Sequence, residues 1–391
     1  MIKEIEMQLE EKIIPFWKRL SDITFGGFYG HVDYDLKIDY KAKKSLISTA
    51  RHLYAFSLWF NHFKNESYLK EAKQAFEFLL KYKDQEYDGY VWLVDYKGKH
   101  IDLTKHIYGQ AFVIYGLSEY YKATQDVKAL DEALTLFKLI ENKSCENIFL
   151  YHEAFTKKWD KRSNELLSVH NTSLVHTMNT VIHILEAYTN LYKVSGNMEV
   201  KRKIIEILEG IYFKFYDKHN KNFFMYLDEG GTIVDMGESF GHDVETCWLV
   251  DEALNAIEVE SPHLRQMTYD VCEQVYKKAF TCNGLISEKI NGINNEERVW
   301  WIQSEAMVGF YNHYQKTRNH TYLEAVQSIY KFTTEFIVDK RNHAEWLWGV
   351  DKNLKPMKHR GFAESWKTGY HNGRALIELI KRGYTHDTSN V

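Results

Sequence analysis

The sequence has few of the features that would mark a partner-binding or extracytoplasmic protein. Three prolines in 391 residues leave helices nearly uninterrupted. Four cysteines, Cys145, Cys247, Cys272 and Cys282, show neither CxxC spacing nor the density of a disulfide framework, so they read as packed thiols in a reducing, cytoplasmic setting. No apolar run reaches the roughly 18 residues of a membrane-spanning helix, and the opening MIKEIEMQLEEKIIPFW mixes acids and bases too early for a secretory leader. Net charge is −4 and no basic stretch alternates with aromatics. The electrostatic footprint needed for nucleic acid or an anionic membrane is therefore absent. A small neutral ligand remains the natural partner.

Aromatics, by contrast, make up 15% of the chain, a composition suited to stacking on sugar faces. One pattern recurs: an apolar, aromatic-rich helix, a short polar turn, and a second amphipathic helix. The turns fall near Asn65, Gln125, Gly196, Pro262 and Asn319, about 55 to 70 residues apart, the spacing of helical-hairpin repeats. A terminal helix from about Tyr370 to Arg382 packing on an opening helix from about Lys3 to Leu20 completes a sixth pair and closes the series into a ring. Between hairpins, FGGFYGHVDYDLKID, DGYVWLVDYKGKHID, IFLYHEAFTKKWD, NFFMYLDEGGTIVD and EWLWGVDKNLKPM alternate as short strands expected to decorate one mouth. No composition shift divides the chain, so residues 1–391 read as a single domain, with the closing THDTSNV expected to fray.

Each inner helix opens on polar or aromatic groups. These are Arg51; His106 and Tyr108; Asn179 and His183; His242 and Glu245; Trp301 and Glu305; and His371 and Arg374. Pairs three or four apart share a helix face. If the six helices run in the same sense, the groups converge on one mouth as a concave polar site with Trp walls. Imidazoles on separate helices suit proton removal and return at a carbon beside a carbonyl. Arg51, His183 and Arg374 are available to stabilise the resulting enediolate. Glu245, one turn from His242, is expected to orient that ring.

Several collinear segments carry a resemblance: IIPFW, GGFYG, HTMNTVIHILEAYTNLY, GHDVET, RVWWIQSEAMVGF and YHNGR. With these the chain resembles the N-acylglucosamine 2-epimerase superfamily, and within it the cellobiose 2-epimerases, almost end to end. The resemblance implies an all-α (α/α)6 barrel and inversion at C2 of a reducing-end sugar through ring opening and an enediolate, with no metal or nicotinamide cofactor. It implies His242 and His371 as the paired acid/base catalysts. Arg51, Asn179 and His183 match groups that hold the carbonyl end and neighbouring hydroxyls, with His183 assisting ring opening. Glu245 and Glu305 match carboxylates that fix histidines and hydroxyls, Trp301 and Trp366 match aromatic walls, and Tyr108 and Arg374 complete the set. The expected partner is a mono- or disaccharide, and the expected assembly a monomer or weak homodimer.

The chain departs from the family pattern at Ser168-Val169-His170-Asn171 and His176, at Thr368-Gly369 before Tyr370-His371, and at Tyr54. These departures bear on substrate size more than on reaction type, and Gly369 is expected to loosen the segment before His371. Other readings of the same residues are a metal site from His183, His242 and Glu245, an inverting glycosidase using Glu245 and Glu305, and a noncatalytic helical scaffold. Within the superfamily, a mannose 2-epimerase or aldose–ketose isomerase shares the enediolate.

Overall fold

The computed structural model describes residues 2–147, 150–164 and 174–384. The expected strand residues Ile148 and Phe149, the Ser168–Asn171 departure and the THDTSNV tail lie outside them.

The helices are α1 (Ile2–Gln8) and α2 (Ile14–Arg19), which a π turn over Leu9–Ile13 joins into one outer helix, then α3 (Leu46–Phe63), α4 (Glu66–Leu79), α5 (Ile107–Thr124), α6 (Val127–Lys143), α7 (Met178–Ser195), α8 (Met198–Gly210), α9 (Phe240–Ala256), α10 (Pro262–Ala279), α11 (Trp300–Thr317), α12 (His320–Phe332) and α13 (Tyr370–Lys381). Helices α3, α5, α7, α9, α11 and α13 pack each on the next, and α13 returns to α3. This closes an inner ring. The even-numbered helices α4 to α12 cover it from outside, and the N-terminal helix packs on α13 as the sixth pair. The architecture is the expected (α/α)6 barrel.

Burial sorts the two layers in the way their sequences demand. Helix α3 is buried on every face from Leu46 to Trp59, polar residues included, as befits a helix enclosed on all sides. Helix α8 instead buries only Val200, Ile204, Ile207, Leu208 and Gly210, a single stripe. The hairpin corners share a local code. Lys64, Gln125, Gly196 and Arg318 each end an inner helix in the left-handed region, and the following Asn65, Asp126, Asn197 or Asn319 accepts backbone N–H groups to start the outer one. The turns therefore stand where the sequence places them.

Short antiparallel strands gather at the mouth where the inner helices begin. Lys44–Ser45 pairs with Leu93–Val94, Lys105–His106 with Ala154–Phe155, Leu174–Thr177 with Tyr226–Asp228, Glu238–Ser239 with Glu288–Ile290, and Arg298–Val299 with Gly349–Val350. Each inner helix except α13 is thus led in by a strand. The FGGFYGHVDYDLKID segment makes only isolated bridges, at Phe28, Val32 and Ile38. A further hairpin, Glu288–Ile290 with Ile293–Asn295, turns on Asn291 (φ 49°) and Gly292 (φ 77°). That Asn-Gly pair is a strong hairpin signal which the expectation above passes over.

Candidate active site

The mouth opens on a cavity of about 320 Å³ lined by Arg51, Tyr108, Asn179, His183, His242, Glu245, Trp300, Trp301, Trp348, Arg360, Trp366 and His371. Its volume lies at the lower end of small-ligand pockets. Those lining residues that the inner helices supply all come from the first six residues of their helices. Convergence at one mouth follows directly from the parallel setting of the inner ring.

Three imidazoles face this cavity, and each is tied at Nδ1. His183 bonds Glu186 Oε2 at 2.9 Å, His242 bonds Ser239 Oγ at 2.7 Å, and His371 bonds Glu305 Oε1 at 2.6 Å. Nε2 of each ring has no protein partner among the described residues. Carboxylates only accept, so His183 and His371 carry their proton on Nδ1 and present Nε2 as a lone pair. Burial pushes all three below the ordinary histidine value, His242 to about 3 with His183 adding to the effect. For His371, Arg51, His183 and His242 push in the same direction. Trp301 lies against both candidate catalysts, with ring centroids 4.8 Å from His242 and 5.6 Å from His371. Gly241 permits that packing, since a Cβ there would stand 2.6 Å from Trp301 Cη2.

The Arg51 guanidinium lies over two aromatic rings, its Cζ 4.4 Å from the Phe112 centroid and 4.8 Å from that of Tyr370. Its Nη1 donates to the Trp366 carbonyl at 2.7 Å and its Nη2 to Tyr108 Oη at 2.8 Å. Burial raises the Tyr108 phenol to about 12, so it remains a proton carrier at neutral pH. Buried atoms without partners add a further clue: Asn179 Oδ1, Glu245 Oε2 and Arg51 Nε are all unpaired. Buried polar atoms are normally bonded. Acceptors and donors left open beside a cavity fit a ligand dense in hydroxyls.

Some expected residues stand elsewhere. Arg374 and Glu305 do not line the cavity but lie directly beneath it. Arg374 Nη2 donates to Glu305 Oε1 at 2.7 Å and Glu245 Oε1 at 3.0 Å, and its Nη1 pairs with Glu186 and Tyr370. Trp248 Nε1 donates to Glu305 Oε2 at 3.0 Å. Glu245 also departs from expectation: Arg374 takes its carboxylate, and Ser239 fills the place beside His242. Glu245, Glu305 and His371 bring ligand atoms within 4.8 Å of one another, and the guanidinium supplies the positive charge those carboxylates require. Burial pushes both Glu245 and Glu305 up, Glu245 to about 8, with Arg51 opposing. With Glu186 the buried set holds three carboxylates against two guanidiniums. One added proton neutralises it.

The remaining departures are structural. His106 caps α5 by accepting from Tyr108 N and bonds Asn164 at 2.9 Å, and His176 bonds the Tyr151 carbonyl at 2.7 Å; neither reaches the cavity. Tyr54 stacks on Tyr115 at 4.0 Å in a separate cavity at the opposite end of the ring, so its exchange leaves the mouth untouched. Gly369 has an ordinary φ of −70°, and a Cβ there would meet Trp17 Cδ1 at 2.7 Å and Trp59 Cη2 at 2.8 Å. Space, rather than freedom, calls for glycine. The segment is in fact pinned, because Lys367 is buried against Glu345 and the carbonyls of Trp346 and Phe362. The expectation lacked Glu186, Trp300, Trp348 and Arg360. Glu186 stands three residues after His183, a spacing that could have flagged it, whereas Arg360 comes from an irregular loop and lies 3.5 Å over the Trp348 ring.

Residues 27–375 match the model of the N-acylglucosamine 2-epimerase family. The chain belongs to that family. It is 41% identical to the cellobiose 2-epimerase of Dictyoglomus turgidum, over 97% of this chain and 98% of that one. Among solved structures, the cellobiose 2-epimerase of Bacillus thermoamylovorans superposes with a TM-score of 0.95 at 41% identity, covering 97% of this chain and 99% of its own. A sugar epimerase from a ruminal bacterium superposes with a TM-score of 0.97 at 36% identity, covering 99% and 100%. Among the described residues, no helix is long and apolar enough to cross a membrane.

Proposed function

We propose that the chain is a sugar 2-epimerase that inverts C2 of the reducing-end residue of a β-1,4-linked disaccharide such as cellobiose or lactose, with His242 and His371 as its acid/base pair. The observation that carries the reading is the set of imidazoles tied at Nδ1 and open at Nε2 around one cavity.

The chemistry follows from the bonding. His183, backed by Glu186, takes the anomeric hydroxyl proton on Nε2 and passes it to the ring oxygen as the C1–ring-oxygen bond breaks, which opens the sugar to an aldehyde. The aldehyde oxygen lies toward Arg51, whose charge is fixed in place by Trp366 and Tyr108 and needs no reorganisation when the enediolate forms. One of His242 and His371 removes the C2 proton, and its counterpart returns a proton to the opposite face. A two-base exchange needs one neutral and one protonated imidazole. Trp301 and Trp366 offer flat faces for the sugar rings, and Asn179 Oδ1 and Glu245 Oε2 accept from hydroxyls. We take residues 1–391 as one catalytic domain, and its four free cysteines suit a reducing cytoplasm.

Incubation with cellobiose, lactose, mannose and glucose tests the reading. A mannose-ended disaccharide is the expected product. Ketose product would instead mean that the proton returns to C1, and released monosaccharide would mean hydrolysis. His242→Ala and His371→Ala should each lower kcat by several orders of magnitude without unfolding the chain; near-normal turnover in either would overturn the pairing.

A further inference from the structure

Ser239 occupies the N-cap position of α9, where a serine ordinarily accepts a backbone N–H from the first turn of its helix. The corresponding side chains Ser45, His106 and Thr177 do cap α3, α5 and α7. Ser239 makes no such bond; its Oγ lies 2.7 Å from His242 Nδ1 instead. The helix start gives up a capping contact, and an imidazole gains a partner.

That partner differs in kind from those of the other two rings. Glu186 and Glu305 can only accept, which fixes the tautomers of His183 and His371 and favours their protonated forms. A hydroxyl both donates and accepts. Both states that the chemistry uses, the neutral base with Nε2 bare and the imidazolium acid, carry a proton on Nδ1 and donate it to Ser239 Oγ. The ring thus keeps its orientation in either state, with no fixed negative charge drawing a proton onto it. The charged and titratable groups around it are Glu245 on its own helix, His183 from α7, His371 from α13, and Glu288, which pairs with Ser239 across the strands. We propose that Ser239 is a positioning residue for the C2 inversion, an uncharged hydrogen-bond acceptor that holds the His242 ring through Nδ1–H in both its base and its acid state.

This inference rests on the reading of His242 as a catalyst, and the test separates the two. Ser239→Ala should lower kcat about 10- to 100-fold in both directions, the range commanded by one hydrogen bond to a charged group. It should also move the acid limb of the kcat pH profile, with the thermal midpoint close to wild type. Ser239→Thr, which keeps the hydroxyl, should restore rate and profile. Wild-type kinetics in Ser239→Ala alongside an inactive His242→Ala would sink this inference alone, whereas an active His242→Ala would sink the catalytic reading beneath it. Failure of Ser239→Thr to rescue would likewise overturn the hydroxyl's role. Should Ser239→Ala fail to fold, the ¹⁵N shifts of the His242 ring in the wild-type protein decide: a hydrogen-bonded Nδ1 is expected, and a free one refutes the proposal.

Discussion

Glu305→Gln is the substitution that most sharply separates electrostatics from geometry in this site. The exchange is nearly isosteric, and Glu305 reaches no solvent. Its carboxylate accepts from His371 Nδ1 at 2.6 Å and from Arg374 Nη2 at 2.7 Å. Opposite charges centred about 4 Å apart at an effective dielectric of about 20 attract by about 4 kcal/mol. When His371 holds the C2 proton, that attraction stabilises the imidazolium, and removing it should slow turnover by about 10³-fold. The sign on pH is fixed too. The carboxylate favours the protonated ring, so its loss lowers the pH at which His371 protonates and shifts the acid limb of kcat downward. Initial rates of disaccharide epimerisation across pH, with thermal melts beside them, measure both effects. A variant within about threefold of wild-type kcat, or an acid limb shifted upward, would refute the reasoning.

Glu186→Gln weakens one of the three carboxylate bonds to Arg374 and loosens the His183 tautomer; we expect a stability loss of about 1.5–3 kcal/mol by chemical denaturation, together with slower turnover. Trp366→Ala removes a face of the cavity and should raise KM for disaccharides more than for monosaccharides in steady-state assays. Gly369→Ala forces a methyl group against Trp17 and Trp59, which should cost about 1–3 kcal/mol in urea unfolding. His52, buried against Phe28 at 4.3 Å and depressed to about 3 by burial, stays neutral in the fold while the unfolded chain protonates it below its ordinary value of 6.5. The unfolded state then binds the extra proton, so stability falls as pH drops through that window, by about 1.4 kcal/mol per unit. Unfolding of His52→Phe between pH 7 and 5 should lack that contribution.

The ring was legible because its determinants are local. An αL residue followed by Asn or Asp writes four of the five hairpin corners into four or five letters, as at Lys64-Asn65 and Arg318-Asn319, the α9–α10 corner excepted. The cavity-facing helix starts were legible for the same reason, since a polar group in the first turns of a fully buried helix has few places to point. What escaped is the layer behind. The Arg374 node joins carboxylates from α7, α9 and α11, and no spacing along the chain reports that Glu245 would serve Arg374 rather than His242, its neighbour one turn away. Arg360 comes from an irregular loop, where periodicity carries no information, and Trp348 leads into the Gly349–Val350 strand, whose alternation does not say which face meets the cavity. The role of Gly369 was equally hidden, because its constraint comes from two tryptophans on distant helices.

The most direct test of two imidazoles exchanging a proton at one carbon is epimerisation of cellobiose in D2O by chelator-treated enzyme, with the product read by NMR at C2 of the reducing residue. Proton removal and return predict deuterium at that carbon in the newly formed mannose-ended epimer, and no such epimer from the His242→Ala or His371→Ala variants. A C2-inverted product that keeps its original hydrogen, or undiminished inversion in either variant, would contradict the account.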